Sequence, residues 1–252
     1  MTEPVTMQVV AATTALRREP QSDAPLDTEA LHGERVTVFE EREGWVRARL
    51  ESDGYEGFLA SQDLRPARAE APTHRVAALR SFVFPGPNIK LPPLTALPFG
   101  ARIVAREIRG DFLRIDEGFL WARHLADAAT IEPDVVGIAE RFLGVPYLWG
   151  GKTALGIDCS GLVQLSLAAA GRKAPRDSGP QERALGMPLA EGAPLRRGDL
   201  AFWRGHVGLM RDADTLLHAN GHAMAVTSEP FAEARTRIVA AGAGDVTSVR
   251  RV

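Results

Sequence analysis

A chain of 252 residues, 45% hydrophobic and 25% charged, is long enough for one large domain or a few small ones. Its formal net charge of −2, from 30 basic and 32 acidic side chains without a single-sign run, argues against a nucleic-acid or polybasic membrane surface. Collagen-like, disordered and disulfide-scaffold classes are excluded, and no run approaches the roughly 18–20 apolar residues of a membrane span.

In chain order, the N-terminal half carries a weak internal repeat. Gly33-Glu-Arg-Val, Gly44-Trp-Val-Arg and Glu56-Gly-Phe-Leu-Ala-Ser-Gln-Asp-Leu64 are echoed by Gly100-Ala-Arg-Ile, Gly110-Asp-Phe-Leu-Arg and Glu117-Gly-Phe-Leu-Trp-Ala-Arg-His-Leu125. Each copy reads as short alternating strands separated by Gly and Asp turns, which suggests a small barrel per copy. A Leu16-Arg pair and a Leu79-Arg pair stand near the two starts. The polar, Pro-containing stretch 65–73 reads as a linker between the copies. In the second copy, Phe84-Pro-Gly-Pro-Asn-Ile-Lys-Leu-Pro-Pro93 would break any central strand, so that copy is the more decayed.

From residue 126 the pattern changes. Apolar Val135, Ile138, Ala139 and Phe142 have helical spacing. A second helix is predicted over 159–170, with Asp158 at its N-cap and Gly171 as its stop. Strands follow at 200–203, 206–211 and 215–219, so helices precede strands as in an α+β domain.

The only thiol, Cys159, falls in the first turn of the predicted helix, where unpaired N–H groups and the dipole favour a thiolate. A lone cysteine is also often an inert buried side chain. His206 heads one predicted strand and His218 ends the next, so neighbouring strands can set a base and its orienter beside the thiol. The expected resting state is a Cys159–His206 thiolate–imidazolium pair. A zinc site from His206, His218 and His222 is a weaker alternative, because paired-Cys and HExxH spacings are absent. His222 reads as a surface residue, and His32, His74 and His124 as structural or exposed.

Residues from about 132 to 235 resemble the NlpC-type cell-wall cysteine peptidases, a bacterial branch of the papain-like fold. The resemblance rests on Pro146-Tyr-Leu-Trp-Gly-Gly151, Asp158-Cys-Ser-Gly161, Arg197-Gly-Asp-Leu200, Gly205-His-Val-Gly208 and Leu217-His-Ala219. It implies a Cys159–His206–His218 triad, Tyr147 helping the Cys159 N–H hold an oxyanion, and a structural Asp199. Two SH3-like barrels before such a domain are similar to the dipeptidyl-peptidase type, γ-D-glutamyl-L-diamino-acid endopeptidases that require a free N-terminal L-alanine. The implied fold is multidomain, two small all-β SH3-like barrels followed by an α+β papain-like domain. Its expected divisions are a first barrel at 1–66, a linker at 67–73, a degenerate second barrel at 74–126 and the peptidase domain at 127–252.

Asp53-Gly-Tyr55-Glu-Gly and Pro175-Arg-Asp-Ser-Gly-Pro-Gln181 match that type's substrate-facing motifs, which implies binding roles for Tyr55, Asp158, Ser160, Asp177 and Ser178. A first-barrel carboxylate near 19–29 should also meet the substrate amine. Tyr55 as a core aromatic, and Asp177 and Ser178 as a solvated loop or helix cap, are the structural alternatives. The implied partner is a murein-derived peptide, with no nucleic acid, membrane span, metal or cofactor; nothing in the sequence specifies an oligomeric state. The lone cysteine, and a start with Glu3 and no signal-peptide core, lead us to expect a cytoplasmic peptide-recycling enzyme. A wall hydrolase or amidase, or a catalytically dead wall-peptide-binding protein, are the rival readings.

Overall fold

The computed structural model describes residues 4–252 and falls into two compact units, the first ending at Thr130 and the second spanning Ile131–Val252. Among the described residues of the first unit, β1 (Val5–Val9), β2 (Thr13–Arg17), β3 (Leu26–Leu31), β4 (Arg35–Arg42), β5 (Trp45–Leu50), β6 (Glu56–Ala60) and β7 (Leu64–Pro66) form one antiparallel sheet in the order β3-β2-β6-β5-β4-β1-β7. Period-two patterning drives it. In β5, Val46, Ala48 and Leu50 are fully buried while Arg47 and Arg49 face solvent. Together with Val9, Leu16, Val36 and Leu59 they make the first core.

The chain then repeats this topology. It runs through β8 (His74–Val76), β9 (Arg80–Phe84), β10 (Thr95–Pro98), β11 (Arg102–Ile103), β12 (Glu107–Arg109), β13 (Phe112–Ile115), β14 (Gly118–Trp121) and β15 (Leu125–Asp127). Their sheets, β10-β9-β14-β13-β12 and β11-β8-β15, follow the first order if β11 and β12 are the two halves of a broken β4. The break falls where β4 itself carries a bulge, between Val38 and Glu40. A second core gathers Val76, Val83, Leu97, Ile103, Leu113 and Leu120. The proline-rich stretch is accommodated outside the sheets: only Phe84 at its start belongs to a strand, the end of β9, residues 85–93 form none, and β10, which ends in Pro98, is a sheet edge.

Two details differ from expectation. Arg65 and Pro66 belong to β7, paired with β1, rather than to a linker. The Leu16-Arg and Leu79-Arg pairs are not equivalent: Arg17 ends β2 opposite Phe58, and the residue opposite Phe119 is Phe84, whereas Arg80 starts β9. A two-residue match is too short to fix a strand register.

The repeated closing motif is a strand, a single 3₁₀ turn (Ser61–Asp63 or Ala122–His124) and a return strand. Its shared glycine marks a close approach between strands. A Cβ on Gly57 would lie 2.2 Å from Leu16 Cδ2, and one on Gly118, where φ is +149°, would lie 2.4 Å from the Phe84 carbonyl oxygen.

In the second unit, α1 (Val135–Glu140) starts at Asp134, whose side chain accepts from Gly137 N–H, and the chain turns at Phe142 instead of continuing the helix. A small hairpin, β16 (Lys152–Thr153) and β17 (Gly156–Ile157), leads into α2 (Cys159–Ala169). Next come α3 (Ser178–Ala184), β18 (Met187–Pro188), β19 (Leu200–Trp203), β20 (His206–Met210), β21 (Thr215–Asn220), β22 (Ala225–Pro230), α4 (Phe231–Ala240) and β23 (Ser248–Arg251). The sheet order is β18-β23-β19-β20-β21-β22, with α2 packed on β20 and β21. The sequence reading lacks α3, α4, β22 and β23. No helix among the described residues is long and apolar enough to cross a membrane.

Gly118→Ala should lower stability by roughly 1–3 kcal/mol, the usual range for forced overpacking. Gly110→Ala should cost less, since its φ is also positive but nothing lies within 4 Å of the added carbon. Thermal unfolding of the two variants checks the order.

Candidate active site

Cys159 is the first residue of α2 and is buried. Its placement is set by Asp158, the N-cap. Oδ1 accepts from Gly161 N–H (2.7 Å), from the Ser160 hydroxyl (3.3 Å) and from Arg176 (2.8 Å); Oδ2 accepts from Gly150 N–H (2.8 Å) and from Arg176 (2.6 Å). Arg176 is itself buried and also donates to Ser160 Oγ (2.9 Å) and the Gly151 carbonyl (3.3 Å). The Asp158 and Ser160 side chains, both expected at the substrate, are thus engaged in this buried network. Arg176 had no role in the sequence reading, although it lies inside a quoted motif.

The histidines meet as the strands pair. Trp203 stands opposite His206, Met210 opposite Leu216, and Leu216 opposite Glu229. Alternate residues share a face, so His206, His218 and Glu229 lie on the face that carries Trp203, Met210 and Leu216. That apolar cluster also contains Ala234 and Ile238 of α4. His206 Nε2 and His218 Nδ1 are 2.8 Å apart, and His218 Nε2 is 2.7 Å from Glu229 Oε1. Arg237 of α4 donates to the same oxygen.

Gly208, two residues after His206 on the same face, leaves room beside His218 and Leu216: a Cβ there would sit 2.7 Å from Leu216 Cδ1 and 3.1 Å from His218 Cβ. Since Nε2 of His206 is committed to His218, Nδ1 is its remaining ring nitrogen. The Val207 N–H, next in chain to His206, acts on the Cys159 thiol, so the head of β20 lies near the start of α2.

Burial dominates the electrostatics. It pushes the Cys159 thiol up to about 12, aided by the Asp158 charge, against the Val207 and Ser160 N–H groups and Arg176. It pushes His206 down to about 3, with the His218 and Arg237 charges adding, and His218 down to about 3, with Arg237 adding. The resting site therefore favours a neutral thiol and neutral imidazoles. Desolvation thus opposes the charged pair that the helix N-terminus favours. Tyr147 is half-buried beside Cys159; burial and the Cys159 charge raise its hydroxyl, which keeps it a proton donor.

The remaining expected residues fall as follows. Asp177 is exposed at the start of α3 and Ser178 is buried. Tyr55 lies in the first unit, partly buried against its core, with its N–H on Asp53 Oδ1 at 3.0 Å. Asp199 is structural: it accepts from Arg196 N–H (2.9 Å) and takes Arg251 on both oxygens (2.8 Å each). His222 is exposed, His32 Nδ1 meets the Val10 carbonyl, and His124 meets Ser81. Among the described residues no three His, Cys, Asp or Glu side chains are grouped as for a metal ion.

Residues 144–240 match the NlpC/P60 family, and residues 16–64 match the bacterial dipeptidyl-peptidase SH3 domain. The chain is 30% identical over 227 residues to the γ-D-glutamyl-L-lysine dipeptidyl-peptidase of Bacillus subtilis, covering 79% of this chain and 73% of that one. The chain belongs to the NlpC/P60 family. Dipeptidyl-peptidase 6 of Lysinibacillus sphaericus is a further relative, 28% identical over 84% of this chain and 86% of its own. The crystal structure of an NlpC/P60 family protein from Bacillus cereus has the same fold, with TM-score 0.82 at 21% identity, over 98% of this chain and 99% of that one. Family membership makes the protein a cysteine peptidase with an SH3-like N-terminal domain.

Two predictions follow from the electrostatics. Removing Arg176 as Arg176→Ala leaves a buried carboxylate uncompensated and should cost about 3–5 kcal/mol in chemical denaturation. The imidazoles stay neutral in the folded chain down to about pH 3, whereas unfolded histidine protonates near pH 6.5. Their contribution is therefore complete above pH ~6.5 and is lost as pH falls from there through about 3. His206→Gln/His218→Gln should flatten the melting-temperature profile across that window.

Proposed function

We propose that the protein hydrolyses the γ-D-glutamyl–diamino acid bond of murein stem peptides bearing a free N-terminal L-alanine. The observation that carries this reading is the similarity to the B. subtilis γ-D-glutamyl-L-lysine dipeptidyl-peptidase, which covers 79% of this chain and so extends beyond the peptidase domain, together with the match of residues 16–64 to the bacterial dipeptidyl-peptidase SH3 domain. A second SH3-like barrel at 74–126, after a linker at 67–73, belongs to the same reading and is supported by the repeated strand order.

In the reaction, the Cys159 thiol passes its proton to His206 Nδ1 as sulfur attacks the γ-carbonyl carbon. The oxyanion is held by the Cys159 backbone N–H and the Tyr147 hydroxyl, donors aimed where charge develops. Collapse of the tetrahedral intermediate breaks the C–N bond, His206 returns the proton to the leaving amine, and water then cleaves the thioester by the reverse proton path. His218 orients His206.

Asp177 supplies the countercharge for the substrate ammonium, with Ser178 as a further partner, because a buried unpaired ammonium costs several kcal/mol. A substrate with a free L-alanine amine has already left its sugar, which suits peptide recycling in a reducing compartment such as the cytoplasm.

Cys159→Ala should abolish turnover while the fold persists, and EDTA should have no effect. Mass spectrometry of L-Ala-γ-D-Glu-diamino-acid digests should show cleavage of the free peptide and none of its N-acetylated form. Equal cleavage of both would favour a wall hydrolase. Asp177→Asn should lower kcat/KM on the free peptide roughly tenfold to hundredfold, the worth of one charge-assisted contact.

A further inference from the structure

Beyond the three-residue array stands a carboxylate–guanidinium pair for which the reaction above has no use. Glu229, at the far end of the two imidazoles, receives both His218 Nε2 (2.7 Å) and Arg237 on one oxygen, Oε1. It sits on the same sheet face as both rings, across β20, β21 and β22.

We infer that Glu229 and Arg237 are positioning residues that set the tautomers of both histidines, so that His206 presents a bare Nδ1 to the Cys159 thiol. The inference rests on the triad reading of Cys159, His206 and His218.

The argument is one of donor and acceptor counting. A carboxylate oxygen can only accept, and Arg237 can only donate. The proton between His218 and Glu229 must then sit on His218 Nε2, which leaves His218 Nδ1 as a lone pair. That lone pair faces His206 Nε2 at 2.8 Å, so the proton of this second bond sits on His206 Nε2. A neutral imidazole carries one N–H, so His206 Nδ1 is left as the acceptor. Every bond in the row donates toward Glu229, and base strength is delivered at the other end.

Without the carboxylate, His218 can instead hold its proton on Nδ1 and donate it to His206. His206 Nδ1 would then be protonated, and the thiol would face a donor. A glutamate here therefore acts two residues away from the sulfur, with Arg237 holding its oxygen in place. The other ionisable groups near the array belong to the nucleophile's side: Cys159 itself, with Tyr147, Asp158 and Arg176 around it. None of them can impose a direction on the His206–His218 proton from the Glu229 end.

The test uses full-length protein and needs no peptide, so its failure is distinct from failure of the substrate reading. Nitrogen-15 NMR of labelled histidines, assigned with single His→Gln variants, reads each ring's tautomer, and iodoacetamide reads Cys159 at neutral pH. In the wild type both rings should be Nε2–H. In Glu229→Ala, Nδ1–H should become populated at His218 and His206, and alkylation should slow about tenfold or more, as expected when the base holds the wrong tautomer. Arg237→Met should move both readouts the same way by less. If Glu229→Ala does not fold, Glu229→Gln replaces it, since the amide can donate as well as accept and should give a tautomer mixture with slowed alkylation. Wild-type rings in another tautomer, unchanged tautomers in the variant, or an alkylation rate within about twofold of wild type would each overturn the assignment.

Discussion

The buried contact between Asp158 and Arg176 is where the catalytic unit is tied together. A helix start exposes unpaired N–H groups, and Cys159 needs that start at the site. Asp158 satisfies two backbone donors, Gly161 and Gly150, but a bare carboxylate beside the thiol would be costly to bury and would raise the thiol further. Arg176 meets both oxygens and returns a positive charge to the nucleophile's surroundings. It also lies one residue before Asp177 and Ser178. The loop proposed to read the substrate amine is thereby fastened to the helix that carries the sulfur. Gln181 adds a second fastening, donating to the Ser160 and Pro175 carbonyls at 2.9 and 2.8 Å.

The other half of the site obeys the opposite constraint. His206, His218 and Glu229 are polar groups on a face otherwise built from Trp203, Met210, Leu216 and the apolar side of α4. Polar groups placed there bond to one another and to Arg237 of α4, because the apolar side chains around them offer no partner. The result is a row of side chains with one end at the thiol and the other at Arg237. Gly208 on this face keeps the space beside His218 and Leu216 open, much as Gly57 and Gly118 permit the close strand approaches of the first unit.

The first unit shows how a repeated topology tolerates erosion. Its two halves keep one order of strand pairing, although the second has broken one strand where the first has only a bulge. Each half retains its own apolar core, and the halves are joined directly: the Arg102 N–H donates to the His32 carbonyl at 2.9 Å, and Ala12 packs on the second core.

Several parts of this protein were legible in one dimension because their causes are local. The paired closing motifs, the N-cap at Asp158, the stop at Gly171 and the alternating strands from Leu200 each follow from spacing, capping and turn chemistry within a few residues. The triad candidates emerged because one thiol and two strand-borne histidines are few enough to combine, and the quoted motifs narrowed them further. What tertiary structure alone decided depends on groups far apart in sequence. Arg176 is paired with Asp158, Glu229 with His218, and Arg237 with Glu229 across elements, α4 and β22 among them, that no periodicity announced. The electrostatics of the site were set the same way. A helix N-terminus can be read from sequence and favours a thiolate, but the burial that opposes it is a property of the packed sheet and helices, and only the folded chain has it.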